Sequence, residues 1–352
     1  MASNSNNIMD KRMEEIRTKI ELKEHSIVNV NSTDFPGGYT GIDDSWNLDK
    51  FAKKFRIDVV DIKDDRIEFD MVGVDASVAN AFRRILLAEL PTMAIEKVFI
   101  LNNTSLIQDE VLAHRLGLIP IKADPRLFEY QQEGDDEGSP EDTVEFNLKI
   151  KCTRNPNAPK DATDPEELYR NCKVWTKDMK WIPRGNQEDL YGQNAFKPVN
   201  DDILIAKLRP GQEIDVKLNC VKGIGKDHAK FSPVATASYR MLPDVSLNSE
   251  VTGTLAERLV ACFSKNVMEI REIDGVKHAV VVNPRHETCS REVFRHEDLK
   301  DLVKLTRIRD HFIFSVESTG ALPPNVLVSE AIKVLMSKCK QFLSELDSVT
   351  TS

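Results

Sequence analysis

The stretch from Asp75 to Pro91 constrains the fold more than any other part of the chain, because it carries both end signals of a helix. Asp75 is a suitable N-cap, since its carboxylate can accept hydrogen bonds from N–H groups that the first turn leaves without a partner. Pro91 marks the end, because its ring disfavours the helical conformation of Leu90. The sequence therefore predicts a helix between these two residues.

The predicted helix has two unlike faces when successive residues are rotated by about 100°. Its apolar face consists of Val78, Phe82, Ile85 and Leu86, and its opposite face consists of Asn80, Arg83, Arg84 and Leu87. Arginine is usually exposed, so a core helix with a solvated basic face is the simplest interpretation. A more specific role for the basic face needs evidence from other parts of the chain.

The bulk properties of the chain exclude several classes of protein. Its 352 residues are enough for two domains with a sizeable core. The net charge of −9 argues against a protein whose main task is to grip a phosphate backbone. No apolar run approaches the roughly 20 residues that span a bilayer. The N-terminus is rich in Asn and Ser and has no apolar segment, so no signal peptide is expected.

The residues that usually carry chemistry are not arranged as a reactive site. The six cysteines lie far apart without a Cys-x-x-Cys pair, so their spacing predicts reduced thiols and neither a zinc nor an iron–sulfur site. The segment from Lys222 to Lys226 contains two glycines but lacks the spacing with which a phosphate loop wraps its ligand. Hydrolase and catalytic-metal motifs are also missing, and the sequence therefore predicts no reaction of its own.

Alternation of apolar and polar residues predicts a hairpin with one buried face, from Phe55 to Ile62 and from Arg66 to Val72. The same criteria predict strands at 93–101, 143–152, 203–208, 214–221, 234–240 and 311–318, and helices at 107–119 and 298–305. The acidic segment 133–142 contains Gly and Pro, which predicts a solvated loop.

The last element is the most periodic. Pro323 and Pro324 fit a helix entrance, where a missing N–H costs little. Apolar residues then recur at alternating intervals of four and three: Val328, Ile332, Leu335, Cys339, Phe342 and Leu346. A seam with an average period of about 3.5 residues suits packing against another helix. That helix can belong to the same domain or to a partner, and the pattern does not distinguish them.

Four blocks of sequence, taken together and in this order, resemble the RNA polymerase α family. The blocks are Asn80 to Leu87, Glu110 to Pro120, Lys226 to Pro233, and Phe314 to Gly320 with the helix that follows. The first resembles the α-motif, in which an Asn, two further residues and paired arginines precede an apolar tail. The resemblance extends from about Phe51 to Leu346.

Among eukaryotic members, the chain is most similar to the larger α-like subunits that RNA polymerases I and III share. The arm from Asn31 to Gly37 and the segment from Cys152 to Pro156 carry this similarity. The corresponding subunit of RNA polymerase II is the alternative. That subunit typically carries a zinc-binding cysteine cluster in its inserted domain, and some archaeal relatives carry iron–sulfur cysteines. This sequence has neither, so no metal and no cofactor are expected.

The resemblance implies an α+β fold with a discontinuous dimerisation domain, in which an antiparallel sheet packs with two long helices. This domain is expected at 50–92 and 230–346, and a mixed, strand-rich domain is expected to be inserted at 93–229. A polar N-terminal arm at 1–49 and a short tail at 347–352 complete the expected organisation. The arm holds the aromatic residues Phe35, Tyr39 and Trp46, which suit either an extended arm on a neighbouring surface or a disordered tail.

The resemblance also implies a non-catalytic assembly subunit of a nuclear, partly nucleolar, enzyme complex. The expected partners are a smaller α-like subunit, with which the chain forms a heterodimer, and the second-largest subunit, which assembles on that heterodimer. Small zinc-containing subunits common to the polymerases are expected as further neighbours. DNA is expected to be met only through the complex, and no membrane is involved.

The resemblance assigns residues to two interfaces by their positions in the blocks. The large-subunit interface is expected to contain Asn80, Arg83, Arg84, His114, Arg115, Lys226 and His228. The heterodimer interface is expected to contain Val78, Phe82, Ile85, Leu86, Val328, Ile332, Leu335, Cys339, Phe342 and Leu346. Arginine suits an interface of this kind, because its planar fork makes directed hydrogen bonds to carboxylates and carbonyls.

Overall fold

The computed structural model of the protein describes residues 12–30, 45–132, 134, 137–159 and 162–350. Phe35 and Tyr39 of the expected arm, and the segment from Asn31 to Gly37, lie outside these residues. No helix in the described part of the chain combines the length and the apolar character needed to cross a membrane.

The chain divides into two compact units, and each is made of several chain segments. The first unit comprises Met1–Val60, Glu68–Asn80 and Tyr239–Phe314. The second unit comprises Asp61–Ile67, Ala81–Ser238 and Ser315–Ser352.

Both helices and strands are distributed along the described residues, which confirms the predicted α+β class. The α-helices are α1 (12–18), α2 (Leu48–Lys54), α3 (Ala76–Ala88), α4 (Asp109–Gly117), α5 (Pro165–Leu168), α6 (Gln187–Tyr191), α7 (Gly253–Ala261) and α8 (Pro324–Thr350). The strands of the first half are β1 (Lys19–Leu22), β2 (Ile27–Val28), β3 (Arg56–Ile62), β4 (Arg66–Val72), β5 (Pro91–Asn103), β6 (Ile121–Lys122), β7 (Thr143–Lys151), β8 (Thr153–Arg154) and β9 (Tyr169–Arg170). The strands of the second half are β10 (Lys173–Trp175), β11 (Lys180–Ile182), β12 (Lys197–Pro198), β13 (Leu204–Lys207), β14 (Glu213–Ile224), β15 (Val234–Leu247), β16 (Met268–Ile273), β17 (Val276–Val281) and β18 (Val303–Ser318).

The first unit is built on a sheet with the strand order β2-β1-β18-β4-β3, in which β15 also pairs with β18. Strand β1 runs antiparallel to β18, and Ile20 lies opposite Arg307. One face of the sheet is aromatic, because Phe69 stacks on Phe314 with ring centroids 5.1 Å apart and Tyr239 lies 5.3 Å from the same ring. Side chains alternate along a strand, so the neighbours of these residues point to the opposite face.

Strand β3 ends this strand order, and all seven of its residues are exposed. Its partner β4 is buried at five of seven positions. The predicted hairpin is confirmed, and the hydrogen bond from Lys63 N to Arg66 O (2.7 Å) closes its turn. The expectation that both strands share one buried face is wrong for β3, because an edge strand lacks a neighbour on one side.

The second unit contains a four-stranded sheet with the order β11-β7-β14-β5. Strand β14 runs antiparallel to both β5 and β7. Its core holds fully buried residues from these strands and from α4, among them Leu112, Leu116, Val144, Phe146, Leu148, Val216 and Leu218. The predicted strands at 93–101 and 143–152 and the predicted helix at 107–119 are confirmed as β5, β7 and α4. The sheet and α4 therefore fix the positions of the second sequence block.

One predicted helix is wrong. Residues 298–302 form turns, and β18 begins at Val303. Leu305 of this segment pairs with Leu22 of β1, so the apolar residues face a sheet core and not a helix neighbour. Tertiary pairing overrides the local helical spacing here.

The first predicted helix is confirmed as α3, with Asp75 as its cap. The Oδ1 atom of Asp75 accepts a hydrogen bond from the backbone N–H of Ser77 at 2.8 Å. Hydrogen bonds from Ser77 lower the pKa of Asp75 below its ordinary value of 3.8. The carboxylate therefore stabilises the start of α3 when it is ionised.

Asp75→Ala is expected to lower the free energy of unfolding by about 1 kcal/mol at neutral pH, because the first turn loses its side-chain acceptor. Since the folded-state pKa is depressed, this stabilisation is present above pH 3.8 and is lost as the pH falls through the lower folded value. Urea unfolding followed by circular dichroism measures both effects. Asp75→Asn keeps an accepting oxygen and is the control. An equal loss in both variants would contradict the capping role.

Candidate protein-interaction surface

Helix α3 presents the two faces that its sequence predicts. Phe82, Ile85 and Leu86 of the apolar face are buried within this chain, with Leu86 fully inaccessible. Val78 of the same face is exposed. The three buried residues are already core residues of this chain, which leaves Val78 as the accessible member of the set assigned to the heterodimer. That assignment stays a prediction.

The basic face of α3 is the accessible one. Arg84 is exposed, and Asn80 and Arg83 are half-buried. Because Arg84 is a long cation on a helix whose other side is packed, its guanidinium is available to a protein partner. The large-subunit role assigned to these three residues stays a prediction.

The third sequence block begins beside the C-terminal end of α3. The backbone N–H of Lys226 donates to the carbonyl of Ala88 at 2.8 Å. Gly225 allows this approach, since a Cβ atom there would lie 2.3 Å from the carbonyl oxygen of Leu87. The first and third blocks are more than 130 residues apart in the sequence, and this bond makes them neighbours, with Lys226 next to α3.

His114 and His228 come together although they belong to different blocks. Their ring centroids are 6.2 Å apart, and the rings are nearly perpendicular. The Nδ1 atom of His228 accepts from the backbone N–H of Lys230 at 3.1 Å, which leaves Nε2 of His228 as its proton-bearing nitrogen in the neutral form. Lys230 itself donates to the carbonyl of Ile95 and pairs with Glu96. The second and third blocks thus form one polar surface.

A shallow cavity of about 220 Å³ opens at this polar surface. It is lined by Ile95, Glu96, Val98, Ala113, His114, Gly117, Leu118, His228 and Lys230. The lining combines imidazole and ammonium donors with a small apolar floor. Such a cavity can accept one side chain of a protein partner.

Arg115 is engaged within the chain. Its Nη2 atom donates to the carbonyl of Leu204 at 2.9 Å, and its Nε atom donates to the carbonyl of Ile205 at 3.3 Å. These bonds tie α4 to β13 and fix the helix that carries His114. The structure therefore favours a positioning role for Arg115, and its assignment to the large-subunit interface stays a prediction.

Helix α8 changes from buried to exposed along its length. Leu327 and Ala331 near its start are buried, whereas Phe342 is 62% exposed and Leu343 is 61% exposed. Of the predicted seam, Val328 and Leu335 are half-buried, and Ile332, Cys339, Phe342 and Leu346 are exposed. Two further exposed apolar residues lie beside the seam and were not predicted: Met336 and Leu343. They are seven residues apart and therefore share one side of the helix, which a search for two adjacent apolar stripes would have found.

The exposed part of α8 is held near α3 by an ion pair. Lys338 Nζ lies 2.8 Å from both carboxylate oxygens of Glu89, which directly follows α3. Both side chains are partly exposed, so this pair fixes geometry more than it adds stability. Phe342 lies four residues after Lys338, on the same side of the helix, and remains exposed.

The glycine-rich segment at 222–226 is explained by packing. Lys222 donates to the carbonyl of Phe128 at 2.9 Å and lies 4.8 Å from the centroid of the Tyr130 ring. Burial lowers the pKa of Lys222. A Cβ atom on Gly223 would lie 2.7 Å from the Phe231 ring. These contacts leave the segment closed to a phosphate group.

The described residues also contain no group of three His, Cys, Asp or Glu side chains placed to hold a metal.

A family model and several known proteins match this sequence over most of its length. The sequence model described as the RNA polymerase Rpb3/Rpb11 dimerisation domain matches residues 68–339, which is more than half of the chain. A relative from Bos taurus, named DNA-directed RNA polymerases I and III subunit RPAC1, is 64% identical over 337 residues, covering 96% of this chain and 97% of the relative. The relative of the same name from Saccharomyces cerevisiae is 44% identical, covering 91% and 96%. A relative from Dictyostelium discoideum, named DNA-directed RNA polymerase II subunit rpb3, is 34% identical, covering 84% and 95%.

Proposed function

Because the chain belongs to the family of RNA polymerase α-like subunits with the Rpb3/Rpb11 dimerisation domain, we propose that it is the assembly subunit shared by RNA polymerases I and III. The observation that carries this proposal is the 64% identity to a relative named for these two enzymes, against 34% to a relative named for RNA polymerase II. The role is structural and not catalytic. It supports synthesis of ribosomal RNA precursors, 5S rRNA, tRNA and other small RNAs in the nucleus, including the nucleolus.

The chain forms a heterodimer, and its partner in this proposal is the smaller α-like subunit. The exposed apolar stripe of α8 supports this, since a stripe that includes Phe342 and Leu343 is rarely left in water. In this proposal, 50–92 and 230–346 act as the dimerisation domain, and 93–229 is inserted into it. The arm at 1–49 and the tail at 347–352 flank these parts.

The second-largest subunit docks, in this proposal, on the basic face of α3 and the neighbouring polar surface. The positions of Lys226 beside α3 and of His114 beside His228 support a surface built from all three blocks. Small zinc-containing subunits common to the polymerases are further proposed neighbours. Contact with DNA is proposed to occur only through the complex.

Affinity purification of the tagged chain, followed by mass spectrometry, tests the proposed function. The smaller α-like subunit and the large subunits of RNA polymerases I and III are expected to co-purify, and those of RNA polymerase II are not. An isolated chain that is a stable monomer and ignores the smaller subunit would overturn the proposal. Recovery of RNA polymerase II alone would assign the chain to that enzyme.

Arg83→Ala combined with Arg84→Ala is expected to leave the heterodimer intact and to weaken capture of the second-largest subunit by about tenfold or more, because hydrogen-bonded charge pairs at an interface are removed. Quantitative pull-down with the purified heterodimer measures this. Arg154→Ala with Arg170→Ala, two exposed arginines on the β8–β9 ribbon, is the matched control and should have little effect. Loss of the heterodimer itself would show that the faces of α3 are assigned the wrong way round.

A further inference from the structure

The first unit carries a group of charged side chains on the face of its sheet opposite to Phe69 and Phe314. The Nε2 atom of His311 lies 2.8 Å from Asp70 Oδ2, so these two side chains share one face of the sheet. Asp70 directly follows Phe69, and this face is therefore opposite to the aromatic one. Alternation along β18 adds Arg307 and Arg309 to that face. We call Arg240, Arg285, Arg307 and Arg309 the arginine cluster.

Arg285 of this cluster is hydrogen-bonded to two carboxylates. Arg285 donates from Nη2 to Glu68 and from Nη1 to Asp70, at 2.7 Å each. These three side chains are largely buried, and His311 shares Asp70 with Arg285. The pair of carboxylates therefore offsets the charge of Arg285.

Arg240 and Arg307 donate hydrogen bonds to a carbonyl oxygen and to a sulfur atom. Arg240 Nη2 donates to the backbone carbonyl of Arg285 at 2.8 Å, and Arg307 Nη2 donates to the Sγ atom of Cys289 at 2.6 Å. Among the described residues, neither guanidinium is paired with a carboxylate, and the Nε atom of Arg307 is buried without a hydrogen-bond partner. Burial and the neighbouring Arg285 guanidinium lower the pKa of Arg240. The site thus holds excess positive charge in a chain of net charge −9.

We propose that Arg240 and Arg307 bind the carboxylates of an acidic segment of another polypeptide. Each guanidinium has five N–H donors, and the bonds described use one from each. A carboxylate that accepts two hydrogen bonds from one of these guanidiniums would offset the positive charge of the arginine cluster. The residues of this interaction are not among those assigned to α3 and α8.

A nucleic acid fits the same site less well. Binding to a phosphate backbone draws its strength from many cations along a groove. Here only Arg240 and Arg307 are proposed to bind the ligand. Two guanidiniums are few for a phosphate backbone, whereas one carboxylate needs a single guanidinium.

The test uses the full chain, co-purified with its heterodimer partner, and a fluorescein-labelled oligoglutamate peptide as the probe. Fluorescence anisotropy at about 50 mM NaCl, where charge interactions are weakly screened, measures the affinity. Arg240→Gln with Arg307→Gln is expected to weaken binding by about tenfold or more. Arg271→Gln with Arg295→Gln removes the same charge from exposed positions in the same unit and is expected to change the affinity less than about twofold.

A second pair of variants separates charge from geometry. Arg240→Lys with Arg307→Lys keeps the charge and removes the planar fork, so intermediate weakening is expected. The proposal is overturned if the unmodified protein does not bind the peptide, or if the control variant weakens binding as much as the glutamine variant. It is also overturned if single-stranded DNA of equal charge binds more tightly with the same arginine dependence. Unchanged thermal unfolding of the lysine variant confirms that its affinity reports on a folded site.

Discussion

Phe342→Glu combined with Leu346→Glu is expected to abolish recovery of the heterodimer from cells that co-express both subunits. Phe342 is 62% exposed in the single chain, and Leu346 lies one turn further along the same stripe of α8. Burial of a large apolar side chain contributes about 1.5–3 kcal/mol, and a glutamate in its place must be desolvated as well. The dissociation constant is expected to rise by at least about 100-fold, which co-purification and analytical ultracentrifugation measure.

The matched control places the same charges on the opposite side of the same helix. Ser337→Glu with Ser344→Glu changes two exposed residues that lie away from the stripe and should leave the heterodimer intact. The helix content of both variants should be unchanged, because exposed substitutions have small effects on folding. If the stripe variant formed the heterodimer normally, α8 would not be the interface.

Gly225→Ala is expected to be the most destabilising single substitution among those proposed. Its Cβ atom would lie 2.3 Å from the carbonyl oxygen of Leu87 and 3.1 Å from the Cα atom of Ala88. Both are backbone atoms of α3, so relief requires the strand end or the helix to move, and the hydrogen bond from Lys226 to Ala88 is lost with it. A loss of about 3 kcal/mol is expected, which corresponds to a fall of roughly 10 °C in Tm.

Gly211→Ala is the control for this experiment. A Cβ atom at Gly211 meets nothing within 4 Å, and the cost is limited to its φ of +92°. About 1–2 kcal/mol is expected from that conformation alone. Thermal unfolding of the two variants in the same heterodimer gives the comparison. If Gly225→Ala were no less stable than Gly211→Ala, the close approach of this loop to α3 would be excluded.

The elements with strong local signals could be predicted from the sequence. Asp75 and Pro91 bound α3 because capping and proline sterics act within one turn, and the structure shows Asp75 on the N–H of Ser77. The helix α8 was predicted from its period and from Pro324, which is its first residue. In both helices, the information lies within a few residues of the feature that it determines.

Features that depend on distant partners could not be predicted in this way. The spacing at 298–305 resembles a helix, but pairing between Leu22 and Leu305 makes the end of this segment a strand. The spacing of the glycines near Lys222 argues against a phosphate loop, but only the positions of Phe231 and Leu87 show that close packing requires these glycines. His114 and His228 lie in two different sequence blocks, and short-range sequence patterns do not predict that their rings are in contact. The arginine cluster was missed for the same reason, since its members come from β15, β18 and a connecting segment.

The edge strand β3 has a consequence for how the isolated protein behaves at high concentration. Its exposed residues include Val59 and Val60, which point to opposite faces, so neither side of this edge is shielded by polar side chains alone. The ion pairs of Arg56 with Asp58 and of Lys63 with Asp61 are the charges available here to disfavour pairing between molecules. High salt screens these charges and leaves the apolar contacts intact. Edge-to-edge association of the isolated chain is therefore expected to increase with ionic strength, and low-salt buffers are expected to keep it dispersed.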